Sequence, residues 1–201
     1  MNKPSMSIRR LLDVVAATLG LAVLSPLLVI IGMLIKLLDG GPVFYKARRV
    51  GKGGALFHLL KFRSMVVNAD KTGQMVTTQA DSRVTPIGRV LRKTKLDELP
   101  QLVNVLIGEM SLVGPRPESP KYVEMYTVEQ RCVLSVPPGI TSAASLQYRH
   151  EEQMLTGPDW EEVYCREVMP AKIDIDLAYL QKRTLLSDFS LVLSTVKSML
   201  N

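Results

Sequence analysis

Charged side chains are absent from Val14 to Ile35, a run of 22 residues reading VVAATLGLAVLSPLLVIIGMLI, and recur throughout the rest of the chain. About 20 apolar residues suffice to cross a bilayer core as one helix. A removable signal peptide fits poorly, because its apolar region is shorter, about 7–15 residues, and no small-residue cleavage site precedes the next basic stretch. Ser25-Pro26 sits near the middle of the run. Proline removes a backbone hydrogen bond and crowds the preceding turn, so it kinks or breaks a helix there. Basic residues flank both ends, Lys3, Arg9 and Arg10 before and Lys36, Lys46, Arg48 and Arg49 after. Positive charge retains flanking segments on the cytoplasmic side. Two geometries satisfy the pattern: a proline-kinked spanning helix, and a helix-break-helix hairpin that dips into one leaflet. In the second, the Ser25 hydroxyl is available to backbone groups freed at the break.

Beyond the turn cluster Asp39-Gly40-Gly41-Pro42, two β-prone runs, PVFYKARRV and ALFHLLKFRSM, surround GKGG and predict a hairpin. Residues 66–86 are polar and turn-rich and read as a surface excursion with little order of its own. Leu102, Val103, Leu106 and Ile107 have helical spacing, with Gly108 as the stop. SLVGPRPES reads as a rigid loop, EMYTVEQRCVL as a short helix and VPPGIT as a turn. Residues 151–182 hold acidic helical stretches. The tail SDFSLVLSTVKSML begins with a Ser/Asp cap and places Phe189, Val192, Leu193, Val196 and Leu200 on one face. Packing against the body is the commoner fate of such a face, and lipid is the alternative. The expected fold is α+β and mainly helical: an N-terminal basic segment and membrane helix over residues 1–40, then a body over residues 41–201 ending in an amphipathic helix.

Composition narrows the chemistry. The chain of 201 residues suits one compact domain with an appendage, and 2 Cys and 2 His supply neither a disulfide framework nor a His-rich metal site. Cys132 and Cys165 read as packing residues. The net charge of +6 conceals an asymmetry, since residues 1–96 carry 16 Lys/Arg against 4 Asp/Glu and residues 97–201 carry 9 against 15. A basic half implies an anionic partner. Nucleic acid fits less well than phosphorylated lipid, because aromatics are 5% and no stacking platform or helix-turn-helix is present.

Asp97-Glu98 stands at the start of a helix, with Pro100 tolerated in its first turn. Adjacent helical side chains diverge by about 100°, so the two suit different tasks. One carboxylate would attack or be phosphorylated, and the other would bind a metal or handle a proton. From the pair alone, simple capping of the helix dipole is the better account. Arg92, Lys93 and Lys95 precede it, and Gly114-Pro115-Arg116-Pro117-Glu118 follows. An arginine held between two prolines loses little entropy on gripping a phosphate, although such a loop also makes a plain rigid corner.

The runs KFRSM (Lys61–Met65), LRKTKLDELPQLVNVLIGEMSLVGPRPE (Leu91–Glu118) and PPGIT (Pro137–Thr141) resemble the bacterial sugar transferases, the monotopic phosphoglycosyl transferases. The resemblance covers nearly the whole chain, in its minimal catalytic form. It implies transfer of a sugar phosphate from a nucleotide sugar, usually a UDP-sugar, to a polyprenyl phosphate such as undecaprenyl phosphate, with release of UMP. It implies Asp97 as the nucleophile of a covalent phosphosugar intermediate, Glu98 as its dyad partner, and Mg²⁺ as cofactor at Asp97 and Glu98. Lys61, Arg92 and Arg116 match phosphate-handling positions, with Arg63 and Glu118 as neighbours. It also implies a re-entrant membrane helix broken at Ser25-Pro26, bacterial inner-membrane lipid as a partner, and a catalytic domain on the cytoplasmic face; a homodimer is left open. After PPGIT many relatives continue with glycine, a Leu-Ala-Gln-Val stretch and Gly-Arg. Here the chain reads SAASLQYRHEEQML. Arg149 stands in the arginine's place among different neighbours, so the sugar is not assigned. The rival functions are a non-catalytic module that binds phosphorylated lipid and a glycosyltransferase that releases UDP. A mere binder has no use for a carboxylate such as Asp97 beside a phosphate, since it repels the ligand.

Overall fold

The computed structural model describes residues 6–69, 81–155 and 159–200. Its first element, α1 (Met6–Leu38), is a single helix that passes through Pro26. The expected helix-break-helix is therefore corrected to one continuous helix. Pro26 offers no N–H to the Ala22 carbonyl one turn earlier. The Ser25 hydroxyl donates to that same carbonyl at 2.8 Å, so the orphaned acceptor keeps a partner. One lost backbone bond, replaced locally, does not end a 33-residue helix.

Strands β1 (Phe44–Val50) and β2 (Leu56–Phe62) form the expected antiparallel hairpin, with Tyr45 opposite Lys61. Then come α2 (Pro86–Lys93), capped by the Thr85 hydroxyl, and α3 (Gln101–Ile107), which ends at Gly108 with φ of 91°. Two expected loops contain strands. SLV forms β3 (Ser111–Val113) and GIT forms β4 (Gly139–Thr141), paired in parallel with Ser111 opposite Gly139. Three-residue strands carry too little periodicity to be read, and their partner lies far along the chain. Of the expected helix EMYTVEQRCVL, only 3-10 turns over Gln130–Ser135 are helical. A short α4 (Pro120–Val123) precedes it.

The acidic stretches form α5 (Ala143–Gln147), α6 (Glu151–Met154), and α7 (Trp160–Val163) running through a π turn (Tyr164–Val168) into α8 (Met169–Lys182). The last helix, α9 (Leu185–Leu200), starts before the expected Ser/Asp cap. Thr184 caps it instead, exchanging hydrogen bonds with Ser187: each hydroxyl accepts the other's N–H. Within the 66–86 excursion, residues 70–80 lie outside the described residues. Its flanks are ordered: Arg83 pairs with Asp81, its guanidinium donates to the Ala69 carbonyl, and its own carbonyl receives the Val66 N–H.

Three apolar clusters hold the body. One joins Tyr122, Tyr126, Leu155, Trp160 and Tyr164. The other two both draw on α1, through Ala17 with Leu59 and Val105, and through Ile31 and Ile35 with Phe62 and Leu91. Polar residues of α1 also face the body. The Arg10 guanidinium donates to the Val105 and Leu106 carbonyls at the end of α3, Asp13 accepts the Leu112 N–H at 3.0 Å, and Arg9 pairs with Asp188 at 3.0 Å. Most of the remaining apolar surface of α1 has no protein partner, from Ile8 and Leu12 to Leu34 and Leu38.

Helix α9 is amphipathic in the opposite sense to a core helix. Its polar side chains turn inward, with Asp188 bound to Arg9 and Arg183, and Thr195 bonded to Thr141 at 2.6 Å. Leu186, Phe189, Leu193 and Val196 are 82%, 63%, 53% and 51% exposed. Of the expected face, Phe189, Leu193 and Val196 are thus open and Val192 is half-buried, in place of packing against the body; the Leu200 side chain lies outside the described residues.

Asn104, 1% exposed, docks α3 onto the free edge of β2. Its oxygen accepts the Leu60 N–H at 2.9 Å and its amide donates to the His58 carbonyl at 2.8 Å and to Glu109 at 2.7 Å. The side chain thereby stands in for a neighbouring strand. Asn104→Leu strands two backbone groups of β2, each worth on the order of 1–3 kcal/mol, and should lower the thermal midpoint of the purified protein by several degrees. An unchanged midpoint would contradict this docking role.

Candidate active site

Asp97 and Glu98 occupy a 3-10 turn, Leu96–Glu98, between α2 and α3. Lys95 before it has a left-handed backbone, φ 57°, which turns the chain sharply out of α2. Asn104 fixes α3 on β2, and so brings this turn to Lys61 near the end of that strand.

Glu98 is the centre of the arrangement. It binds Lys61 Nζ at 2.8 Å and the Arg116 guanidinium at 2.5 and 3.3 Å, through both of its oxygens. Burial pushes its carboxyl upward, but the charges of Arg116 and Lys61 and their hydrogen bonds overcome this and hold it well below the usual range. The same carboxylate raises the Arg116 guanidinium. Two cations against one anion leave the cluster positive.

Asp97 is different. It is 6% exposed, and among the described residues no hydrogen bond reaches its carboxylate. Burial raises its carboxyl, Lys61 pulls it down, Glu98 pushes it up, and Arg92 and Lys95 pull it down; the result is above the ordinary value. Adjacent in sequence, the two acids have opposite environments, which is the divergence expected of neighbouring helical positions. Capping alone does not describe them, because Glu98 is consumed by two cations and Asp97 by no donor.

A cavity of about 330 Å³ opens beside the cluster. Lys95, Glu98, Arg116 and Arg149 line its polar part, with Tyr148, Glu151 and Lys172; Leu99, Leu102, Ile140 and Leu146 line an apolar part. Asp97 is not among the lining residues. The structure therefore brings Asp97, Glu98, Lys61, Arg92, Arg116 and Arg149 to one region. It does not bring Arg63 or Glu118 there. Arg63 is buried against the linker after α1, where it donates to the Gly40 carbonyl. A side chain at Gly41 would strike this guanidinium, with a Cβ at 2.7 Å from Nη1. Glu118 accepts the Tyr164 hydroxyl at 2.8 Å in the aromatic cluster. Burial, then the Glu118 charge, pushes that phenol upward.

Lys172 and Glu151, paired at 2.5 Å in the cavity wall, were not legible beforehand. They lie in stretches whose only sequence signal is helical spacing. Lys95 was visible as part of the basic run but not as a lining residue.

The fit of a divalent cation depends on the acids available. Among the described residues no group of three or more His, Cys, Asp or Glu side chains is placed to hold a metal. Glu98 has both oxygens engaged. Asp97 has none engaged, and Mg²⁺ commonly binds one or two carboxylates together with substrate phosphates. One carboxylate at Asp97 suits such a shared site.

Comparison with known proteins follows the same lines. The family model described as bacterial sugar transferase matches residues 4–201. The chain is 40% identical over 195 residues to the UDP-glucose:undecaprenyl-phosphate glucose-1-phosphate transferase of Caulobacter vibrioides, covering 96% of this chain and 69% of that one. It is 37% identical over 203 residues to the exopolysaccharide production protein ExoY of Sinorhizobium fredii, covering 94% and 83%. It is 36% identical over 196 residues to the UDP-N-acetylgalactosamine-undecaprenyl-phosphate N-acetylgalactosaminephosphotransferase of Aeromonas hydrophila, covering 96% and 44%. With its dyad, its basic cluster and its apolar helix in place, this chain belongs to the bacterial sugar transferase family.

Proposed function

We propose that this protein transfers a sugar 1-phosphate from a UDP-sugar to undecaprenyl phosphate, releases UMP, and does so through a covalent intermediate on Asp97. The observation that carries the reading is the contrast within the dyad: an uncommitted carboxylate beside one that holds two cations. Attack by a carboxylate on a diphosphate is opposed by charge, and Lys61, Arg92, Lys95 and Arg116 offset it. In the first step an Asp97 oxygen bonds to the sugar-linked phosphorus, and the bridging P–O bond breaks with its electrons leaving on UMP. In the second, an oxygen of undecaprenyl phosphate bonds to that phosphorus, and the aspartyl P–O bond breaks to restore the carboxylate. Asp97 is nearly buried, so the side chains over it shift before the phosphorus arrives. Mg²⁺ held by Asp97 and the substrate's own phosphate oxygens would supply further charge compensation. Arg149 and Lys95 line the cavity wall, which supports a role for them in binding the departing or arriving phosphates. Relatives acting on different sugars share this degree of identity, so the donor sugar is left open.

The membrane reading is monotopic, at the bacterial inner membrane with the body on the cytoplasmic face. Two observations support it. Residues near both ends of α1, Arg10 and Ile35, lie on the same body, which disfavours carrying the ends to opposite sides of a core about 30 Å thick. The outward apolar face of α9 offers a second contact, in the manner of helices that lie in the interface. Such a placement keeps the dyad at the depth of a lipid phosphate.

Asp97→Asn should abolish UMP release, and Glu98→Gln should lower it about 10²-fold or more by freeing Lys61 and Arg116. Full turnover by Asp97→Asn would exclude the covalent step, and UDP as the sole nucleotide product would replace the reaction with simple glycosyl transfer. Because Asp97 must be ionised to attack and its pKa is raised, kcat/KM should increase with pH through an apparent pKa above the ordinary aspartate value. A flat acid limb down to that ordinary value would show that Asp97 does not limit the reaction. For topology, single cysteines at position 5 and at Lys52, in a variant lacking Cys132 and Cys165, should both resist a thiol reagent applied to the periplasmic side. Labelling at position 5 alone would establish a spanning helix.

A further inference from the structure

Two kinds of polar group share the cavity wall. Lys95, Arg116 and Arg149 are cations that suit phosphate, whereas Glu151 and Lys172 pair at 2.5 Å and together carry no net charge. Glu151 opens α6 and Lys172 stands near the start of α8, so the pair spans two elements. Their side chains are 22% and 13% exposed, which leaves them open to the cavity and shielded from bulk solvent. Lys172 is held from a second side, its ammonium 5.7 Å from the centre of the Tyr164 ring. It donates to Oε2 of Glu151, and among the described residues no hydrogen bond reaches Oε1. An ammonium has three N–H donors, and this contact uses one of them. The wall thus presents a fixed carboxylate with a free oxygen beside a fixed ammonium with free donors.

We propose that Glu151 and Lys172 form a subsite that reads the hydroxyl groups of the donor's sugar, the free Glu151 oxygen accepting from one hydroxyl and the Lys172 ammonium donating to its neighbour. The identity of the ligand rests on the proposed transfer. A carboxylate repels phosphate, and a polyprenyl phosphate offers only phosphate and hydrocarbon, so neither is what this pair faces. The sugar is the hydroxyl-rich part of the donor, and it stays in the cavity through both steps while UMP leaves after the first. A neutral pair also adds no net charge against the phosphates beside it. Hydrogen bonds to charged groups are stronger than neutral ones, and an epimer with one hydroxyl turned away leaves a poorly hydrated charge unpaired. Apolar and aromatic neighbours with a few fixed polar groups are the usual makeup of such a site, and Leu146 and Tyr148 line the same cavity. Both residues lie outside Lys61–Met65, Leu91–Glu118 and Pro137–Thr141, the runs that carry the family resemblance. That is the place for a feature that differs between relatives named for glucose and for N-acetylgalactosamine. A clasp between α6 and α8 alone would need neither a free oxygen nor a place in the cavity.

The full-length chain in detergent, carrying Asp97→Asn so that no bond forms during titration, is compared with the same chain bearing Glu151→Gln and with the exchanged pair Glu151→Lys/Lys172→Glu. Calorimetry reads the Kd of UDP-glucose, of its C4 epimer UDP-galactose, of UDP-N-acetylgalactosamine and of sugar-free UDP, with thermal midpoints as the check on folding. Glu151→Gln should weaken the preferred UDP-sugar about 10–100-fold, narrow its lead over the epimer, and leave UDP unchanged within about twofold. The exchanged pair keeps the ion pair between α6 and α8 but swaps acceptor and donor, so it should lose the same preference at a near-native midpoint. Equal losses for UDP and UDP-sugar, or native selectivity in either variant, would overturn the proposal. So would UDP-sugars bound no more tightly than UDP when the pair is intact. The reaction itself is judged separately. Selective weakening by Glu151→Gln, in a protein whose wild type releases no UMP from any donor, rejects the transfer and keeps the subsite. UMP release by wild type with unchanged selectivity in Glu151→Gln rejects the subsite alone.

Discussion

The buried contact among Glu98, Lys61 and Arg116 is the constraint around which the rest is arranged. Each partner comes from a separate element: a 3-10 turn, the end of a strand, and a proline-framed loop. Removing Glu98 leaves two cations uncompensated in a poorly hydrated place, which is far more costly than losing a surface ion pair. The supporting structure can be read as the means of bringing the three together. Asn104 sets the turn against the strand, while the parallel pair of β3 and β4 sets the loop. What results is a basic site with a neighbouring carboxylate, Asp97, that no hydrogen bond among the described residues engages.

The long apolar helix α1 belongs to the same arrangement. Arg10 occupies the carbonyl end of α3, where a cation complements the helix dipole, and α3 begins just after the dyad. Asp13 holds the start of β3 in register. Polar side chains at this end of an otherwise apolar helix are thus satisfied by the body and not by lipid. The exposed face of α9 follows the inverse logic: Asp188 is spent on Arg9 and Arg183 and Thr195 on Thr141, while Leu186, Phe189, Leu193 and Val196 face out. Together the two helices leave apolar surface where a lipid phase would be.

Much of the site was readable from local pattern. The Asp97-Glu98 pair at a helix start, Arg116 between prolines and the stop at Gly108 all depend on neighbours within a few residues, while Lys61 was singled out by the family resemblance. Arg63 and Glu118 were less legible. Each stands next to a motif residue and has suitable chemistry, yet one is spent on the Gly40 linker and the other on Tyr164. The strands β3 and β4 were hidden by their brevity. The direction of the α9 face could not be read at all, because the spacing of apolar residues fixes a stripe and not which medium it meets.

The sequence by itself determined the long apolar segment, the hairpin, the Asp97-Glu98 pair and the family, since each is encoded in adjacent residues or in a contiguous motif. It also anticipated the Ser25 hydroxyl as a partner for a carbonyl freed by Pro26, although not that the helix would continue. Tertiary structure alone decided which acid is neutralised and which is left alone, and which cations reach the cavity. These outcomes depend on burial and on charges brought together from distant positions. A carboxylate's environment is set by every group within a few ångströms, and only the folded chain places those groups.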